Sequence, residues 1–296
     1  MNPILKSIIH KQRRDFERLS SGRHIPEQIL EGVWEERNIR YADDGDPAHV
    51  MDLFYPNTLK LPAPVIINIH GGGLITGSKD FNRHFCINLC KMGFIVFSVE
   101  YRLWPEVTFF QQLEDIYAAM NRIDGMIPEL KAEPGQCFMV GDSAGALLAM
   151  YAAAIQRNPE LARMADIRPS YLEIRALCLI SGMFYTTKPD KIGLVMPKVF
   201  YGAHCRKHPF YPYLNPNKEA VAMYLPPCLL TTSKHDSLRS YSYYITEAIR
   251  LQDVPGILYD YGKDPKLTHA FPVFDPELPE SREVIEDISA FFHKHG

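Results

Sequence analysis

Gln136-Cys137-Phe138-Met139-Val140-Gly141-Asp142-Ser143-Ala144-Gly145-Ala146-Leu147-Leu148-Ala149-Met150 is the stretch on which the reading of this chain turns. A short, mostly apolar run enters the pattern G-x-S-x-G, and an alanine- and leucine-rich helical run leaves it. A serine on such a strand–turn–helix junction stands at the edge of a sheet. Glycine on both sides makes room for a turn too tight for side chains, and the helix N-terminus that follows favours negative charge beside the hydroxyl. With 18 glycines and 14 serines in 296 residues, chance supplies one G-x-S-x-G with a probability on the order of 0.05, before the flanking strand and helix are required.

The pattern outside this stretch repeats the same rhythm. Val65–Ile69, Phe94–Val99, Ala176–Ile180 and Cys228–Thr232 read as strands buried on both faces, and helical runs fill about 80–91, 109–124, 144–157, 238–252 and 283–294. That alternation predicts one α/β domain on a largely parallel sheet. Ile39–Ala42 and Val50–Tyr55 read as a hairpin around the turn-rich Asp43-Asp44-Gly45-Asp46-Pro47. Two stretches break the rhythm. Residues 1–35 are charged and amphipathic, with Ile4, Leu5, Ile8, Ile9, Phe16 and Leu19 on one side, and read as a packed surface helix. Residues 183–220 are rich in aromatics, including Phe184, Tyr185, Phe200, Tyr201 and Phe210, as lids and substrate walls are.

Composition narrows the function classes. An apolar fraction of 46% and a charged fraction of 23% are those of a globular protein, and the net charge of −3 with no long basic block argues against nucleic acid. No apolar run reaches the roughly 18 residues of a membrane span, and Met1–Leu5 leads to Lys6, Lys11, Arg13 and Arg14 without a signal-peptide core, so a cytoplasmic protein with no stable membrane association is expected. Six scattered cysteines, mostly in apolar stretches, read as reduced, packed thiols. His84-x-Cys86-x-x-x-Cys90 lacks a fourth ligand for structural zinc, so no metal is expected.

A second motif supplies what a serine nucleophile needs. His70-Gly71-Gly72-Gly73 follows the strand 65–69, and its chance rate is about 0.002 by the same counting. The amides of Gly71 and Gly72, with that of Ala144, are assigned as an oxyanion hole, and Gly73 as a third amide or as room in the pocket. His70 reads as structural. A hydroxyl is a weak nucleophile, so Ser143 needs an imidazole base and the base a carboxylate to orient it. Asp236 stands in the loop after strand 228–232, and His269 follows strand 257–261, giving the order Ser143, Asp236, His269 of α/β-hydrolases. His235 neighbours Asp236, but adjacent residues do not readily present both groups to each other.

Taken together, the motifs resemble the hormone-sensitive-lipase-like family of α/β-hydrolase esterases, over about residues 45–294. Beside His70–Gly73 and Gly141–Gly145, the matching elements are Glu100-Tyr101-Arg102-Leu103-Trp104-Pro105-Glu106 for D-Y-R-L-A-P-E, Pro226-Pro227, His235-Asp236-Ser237-Leu238-Arg239 for H-D-P-L-R and His269-Ala270-Phe271 for H-G-F. The resemblance implies an eight-stranded, mostly parallel sheet flanked by helices, with a small helical cap. The core is then 36–182 and 221–296, and the cap 1–35 and 183–220. It also implies hydrolysis of short-chain carboxylic esters without a cofactor, by a monomer or a homodimer acting on a small-molecule ester, and supports the triad and oxyanion roles given above. Trp104 replaces alanine and is expected either to reach the pocket or to pack beneath the oxyanion loop. Asp142, Phe184, Phe200 and Tyr201 complete the candidate pocket. The segment Gly262–Leu267 is long for the family and predicts a mobile loop before His269.

The expected reaction is a two-step ester hydrolysis through an acyl-enzyme on Ser143. Because a neutral imidazole is the base and an ordinary histidine titrates near about 6.5, activity is expected to fall in acid. An amidase, formamidase or lactonase could use the same triad, since the motif specifies acyl transfer and not the leaving group. A noncatalytic ligand-binding protein on this scaffold is the reading from another class, and the presence of His269 speaks against it.

Overall fold

The structure, a computed structural model, describes residues 7, 9–11, 13–16, 18, 27–58, 62–201 and 204–296, without the side chains of 195 and 198–200. Ile4, Leu5, Ile8 and Leu19, placed by the sequence on the apolar side of the first helix, lie outside the described residues.

Eight strands form one sheet: β1 Val33–Arg40, β2 Val50–Pro56, β3 Ala63–Ile69, β4 Ile95–Val99, β5 Ala132–Asp142, β6 Ile174–Ile180, β7 Cys228–Ser233 and β8 Gly256–Tyr261. Their order is β1-β2-β4-β3-β5-β6-β7-β8. The pairs β1/β2 and β2/β4 are antiparallel and the rest are parallel. Strand alternation divides the core in two. Val65, Ile67, Ile69, Ile95, Phe97 and Met139 pack on one face with the helices Phe109–Leu130 and Ala144–Arg157. Ile66, Val96, Phe138 and Val140 pack on the other with Arg83–Lys91 and Pro279–His295. Both faces are covered, and the central strands β3 and β4 are accordingly apolar at all but one position each, Asn68 and Ser98.

The expected α/β-hydrolase architecture, with a mostly parallel eight-stranded sheet, is present. Several boundaries move. β1 starts at Val33 rather than Ile39, because Glu35 and Arg37, which look like loop residues, are held on the edge strand by Arg83 and Asp52 respectively. It therefore begins inside the segment assigned to the cap. β5 starts at Ala132 rather than Gln136, with Ala132 paired to Ala63 across a register shift that contains Pro134 and Gly135. The insertion 183–220 holds the helix Lys191–Tyr201 and short turns of 3-10 helix, but Phe184, Tyr185, Phe210 and Leu214 sink into the main core. All six cysteines are free and buried. Among the described residues no helix is long and apolar enough to cross a membrane.

Candidate active site

The carboxyl ends of the parallel strands converge on Ser143, as ligand sites in such sheets do. Ser143 leads the helix Ala144–Arg157 with φ of 52°, a left-handed conformation that costs energy for a side-chain residue and tips the hydroxyl out of the turn. Its N–H donates to Ile180 O at 2.8 Å and its carbonyl accepts Met183 N–H at 2.9 Å, which ties the turn to the end of β6. The flanking glycine is required by close approach: a Cβ on Gly145 would stand 2.1 Å from Ile69 O.

His269 Nε2 lies 2.9 Å from Ser143 Oγ, and His269 Nδ1 lies 2.7 Å from Asp236 Oδ1. Asp236 is buried at the end of β7. It accepts Leu238 N–H at Oδ1 (2.8 Å) and Thr232 Oγ1–H at Oδ2 (2.7 Å). Burial alone pushes its carboxyl up, but the hydrogen bond to His269 and these further donors outweigh it and hold Asp236 below the usual carboxylate range. The segment expected to be a mobile loop is pinned at its end, where Leu267 is buried, its carbonyl accepts Ser233 Oγ–H, and Ala270 N–H donates to Ser181 Oγ at 3.0 Å.

The three glycines of the oxyanion loop do not present their amides alike. Gly71 N–H donates to Asp142 Oδ1 at 3.0 Å, so the expectation that it is a free oxyanion donor is corrected: the carboxylate already holds it. Among the described residues the amides of Gly72, Gly73 and Ala144 have no protein acceptor. Asp142 is buried, also accepts Asn82 Nδ2–H at 2.8 Å, and is held above its ordinary value by burial. Behind the loop, His70 Nε2 lies 3.0 Å from Glu100 Oε1 and Nδ1 lies 2.8 Å from Gly71 O, while its ring stacks on Tyr101 at 4.2 Å. Burial opposes a charge on His70, yet Glu100 wins and raises it above its ordinary value. His70 is a brace, as its place in the sequence suggested.

A cavity of about 230 Å³ opens on Ser143 and His269, with Gly71, Gly72, Gly73 and Asp142 in its wall. His70 also lines it, and the rest of the wall carries no local sequence signal: Phe16, Ser78, Phe81, Asn82 and Phe274 come from segments more than two hundred residues apart at the extremes. Three residues proposed for the pocket from sequence stand elsewhere. Phe184 is fully buried in the core. Tyr201 packs on Phe109 and Phe110 with its hydroxyl 3.3 Å from Thr186 Oγ1. Trp104 lies outside this lining, and its N–H donates to Leu74 O at 2.9 Å, bracing the oxyanion loop. Phe200 is on the helix Lys191–Tyr201, and its side chain is outside those described.

The chain is similar to several known esterases in sequence and in fold. Over 271 residues the chain is 26% identical to the carboxylesterase NlhH of Mycobacterium tuberculosis, covering 87% of this chain and 81% of that protein. It is 28% identical over 146 residues to the isoprenylcysteine alpha-carbonyl methylesterase ICME of Arabidopsis thaliana, covering 49% of this chain and 34% of that protein. Its structure superposes on esterase B from Lactobacillus rhamnosis with a TM-score of 0.86 at 24% identity, over 98% of this chain and 95% of that one. The esterase of the archaeon Pyrobaculum calidifontis follows with a TM-score of 0.69 at 23% identity, over 99% and 98%. The resemblance to hormone-sensitive-lipase-like esterases is borne out. A family profile described as alpha/beta hydrolase fold matches residues 66–272, and the chain belongs to that family.

Proposed function

We propose that this carboxylic ester hydrolase is a serine esterase that cleaves short-chain esters through an acyl-enzyme on Ser143. The observation that carries the reading is the continuous contact Ser143 Oγ to His269 Nε2 (2.9 Å) and His269 Nδ1 to Asp236 Oδ1 (2.7 Å). With Nδ1–H donated to Asp236, Nε2 keeps a lone pair for the serine proton. Ser143 Oγ then attacks the ester carbonyl while its proton passes to His269. The amides of Gly72, Gly73 and Ala144 receive the developing oxyanion, each such donor contributing about 3 kcal/mol. His269 returns the proton to the departing alkoxide, which leaves as the alcohol. Water, deprotonated by the same imidazole, attacks the acyl-enzyme, and collapse frees the acid and Ser143.

The short-chain preference is supported by the cavity, whose volume of about 230 Å³ falls below the roughly 300–1,000 Å³ of pockets for larger ligands. We read the N-terminal helical residues and the 183–220 segment as the cap over the core, and the six free cysteines as fitting a reducing, cytoplasmic setting. Steady-state hydrolysis of p-nitrophenyl acetate, butyrate, octanoate and laurate tests the reading. Turnover that favours the short esters and vanishes in Ser143→Ala is expected. Undiminished turnover in that variant, or none by the folded wild type, refutes it.

A further inference from the structure

One wall of the cavity comes from a part of the chain that the chemistry above leaves unused. Ser7, Ile9–Lys11, Arg13–Phe16 and Arg18 are helical, and Ile9 is buried. Phe16 lines the cavity beside Ser143; its ring centre is 4.6 Å from that of Phe81, which is 4.7 Å from that of Phe274. Arg13, at the i−3 position and so on the same helix face, reaches the back of the oxyanion loop. Its Nε donates to Ile75 O at 2.7 Å, and its Nη2 donates to Trp104 O and to Glu106 Oε2, the latter at 2.7 Å. The guanidinium is largely shielded, with 16% of the side chain exposed.

What Arg13 grips is the turn that aims the oxyanion donors. Gly72 O accepts N–H bonds from Ile75 (3.2 Å) and Thr76 (3.0 Å), and Leu74 O accepts Trp104 N–H (2.9 Å) and Gln112 Nε2–H (3.0 Å). The two carbonyls bound by Arg13 therefore belong to the turn itself and to the strand-end segment that braces it. The planar guanidinium holds the two from separate nitrogens fixed in one fork, a geometry that the single ammonium nitrogen of a lysine does not reproduce.

We infer that this N-terminal helix is a working part of the site: Phe16 sets the length of the apolar group an ester can place beside Ser143, and Arg13 is a positioning residue for the oxyanion turn. The inference rests on the serine-esterase reading. A side chain replaced at the end of a short apolar cavity changes how many methylenes can be buried, each worth about fourfold in kcat/KM. A loosened oxyanion turn acts on the transition state, so it lowers kcat more than it raises KM.

Both consequences are read in one set of assays, kcat and KM for the p-nitrophenyl series with the wild type, Phe16→Ala, Phe16→Trp, Arg13→Ala and Arg13→Lys, alongside thermal melts. Phe16→Ala is expected to raise the octanoate-to-acetate ratio of kcat/KM at least about tenfold, and Phe16→Trp to lower it. Arg13→Ala is expected to lower kcat on acetate about tenfold with KM changed less than about threefold, and Arg13→Lys not to restore it. Phe16→Leu and Arg13→Gln carry the same test if an alanine variant loses its melting transition. Unaltered chain-length ratios in the Phe16 variants, or kcat within about twofold of wild type in folded Arg13→Ala, overturn the inference while leaving the esterase standing. Absence of ester turnover in the wild type overturns the esterase reading instead.

Discussion

Gly71→Ala is the sharpest probe of the oxyanion loop, because the substitution adds one methyl at a place where the structure leaves none free. A Cβ on Gly71 would stand 2.2 Å from Asp142 Oδ2 and 2.9 Å from Asp142 O, whereas ordinary contact begins near 3.4 Å. The carboxylate or the loop must therefore give by about 1.2 Å, the difference between those distances. Gly71 φ is not in the left-handed region, so the clash is the whole perturbation. Displacement on the order of 1 Å in a catalytic group costs about 10²-fold, and losing one oxyanion donor costs about 10²–10³ in kcat. We expect kcat on p-nitrophenyl butyrate to fall about 10²-fold with KM changed only a few-fold. Asp142→Ala removes the nearer obstruction and the acceptor of Gly71 N–H together and leaves only the 2.9 Å approach to Asp142 O, so adding Gly71→Ala to it should cost clearly less than Gly71→Ala costs the wild type. Gly71→Ala within threefold of wild type, or a double variant whose losses simply multiply, refutes the idea that Asp142 fixes this loop.

Two further predictions concern the charged braces. Asp236 is held below the usual carboxylate range, so its stabilising contribution is present above the unfolded value of about 3.9 and is lost as pH falls below it. It is ionised through neutral pH, and Asp236→Asn, which no longer fixes the imidazole tautomer and gives up that stabilising charge, should cut kcat about 10⁴-fold and lower the melting temperature at pH 7; a loss in kcat under tenfold would contradict its role. His70 is raised above its ordinary value, so the His70–Glu100 contribution is full below the unfolded value of about 6.5 and is lost as pH climbs through the raised folded one. The melting-temperature gap between wild type and Glu100→Gln should be widest near pH 6 and close toward pH 9, and a gap constant over that range would count against the pair.

The parts of this account legible in the sequence are those that one segment encodes by itself. The apolar runs of β3 to β7 announce themselves because both faces are buried, and G-x-S-x-G names its serine because the turn's geometry demands both glycines. Asp236 and His269 were legible through their places after late strands. What resisted was whatever depends on distant partners. Glu35 and Arg37 mimic a loop, and it takes pairing with β2 and the ion pairs to Arg83 and Asp52 to hold them on the edge strand. Which glycine amide faces the substrate depends on Asp142, seventy-one residues away, claiming that of Gly71. Phe16, Phe81 and Phe274 meet only in the folded chain, so aromatic composition pointed instead to 183–220, whose Phe184 and Phe210 serve the core.

The central claim is that Ser143 carries the acyl group, and covalent trapping tests it most directly. The wild type is treated with one equivalent of a serine-directed organophosphate, ester turnover is followed to its loss, and the labelled peptide is identified by mass. The account predicts one adduct per chain, on Ser143, formed in step with the loss of activity and absent from Ser143→Ala. A stoichiometric adduct on any other residue, or full activity with Ser143 labelled, would contradict it.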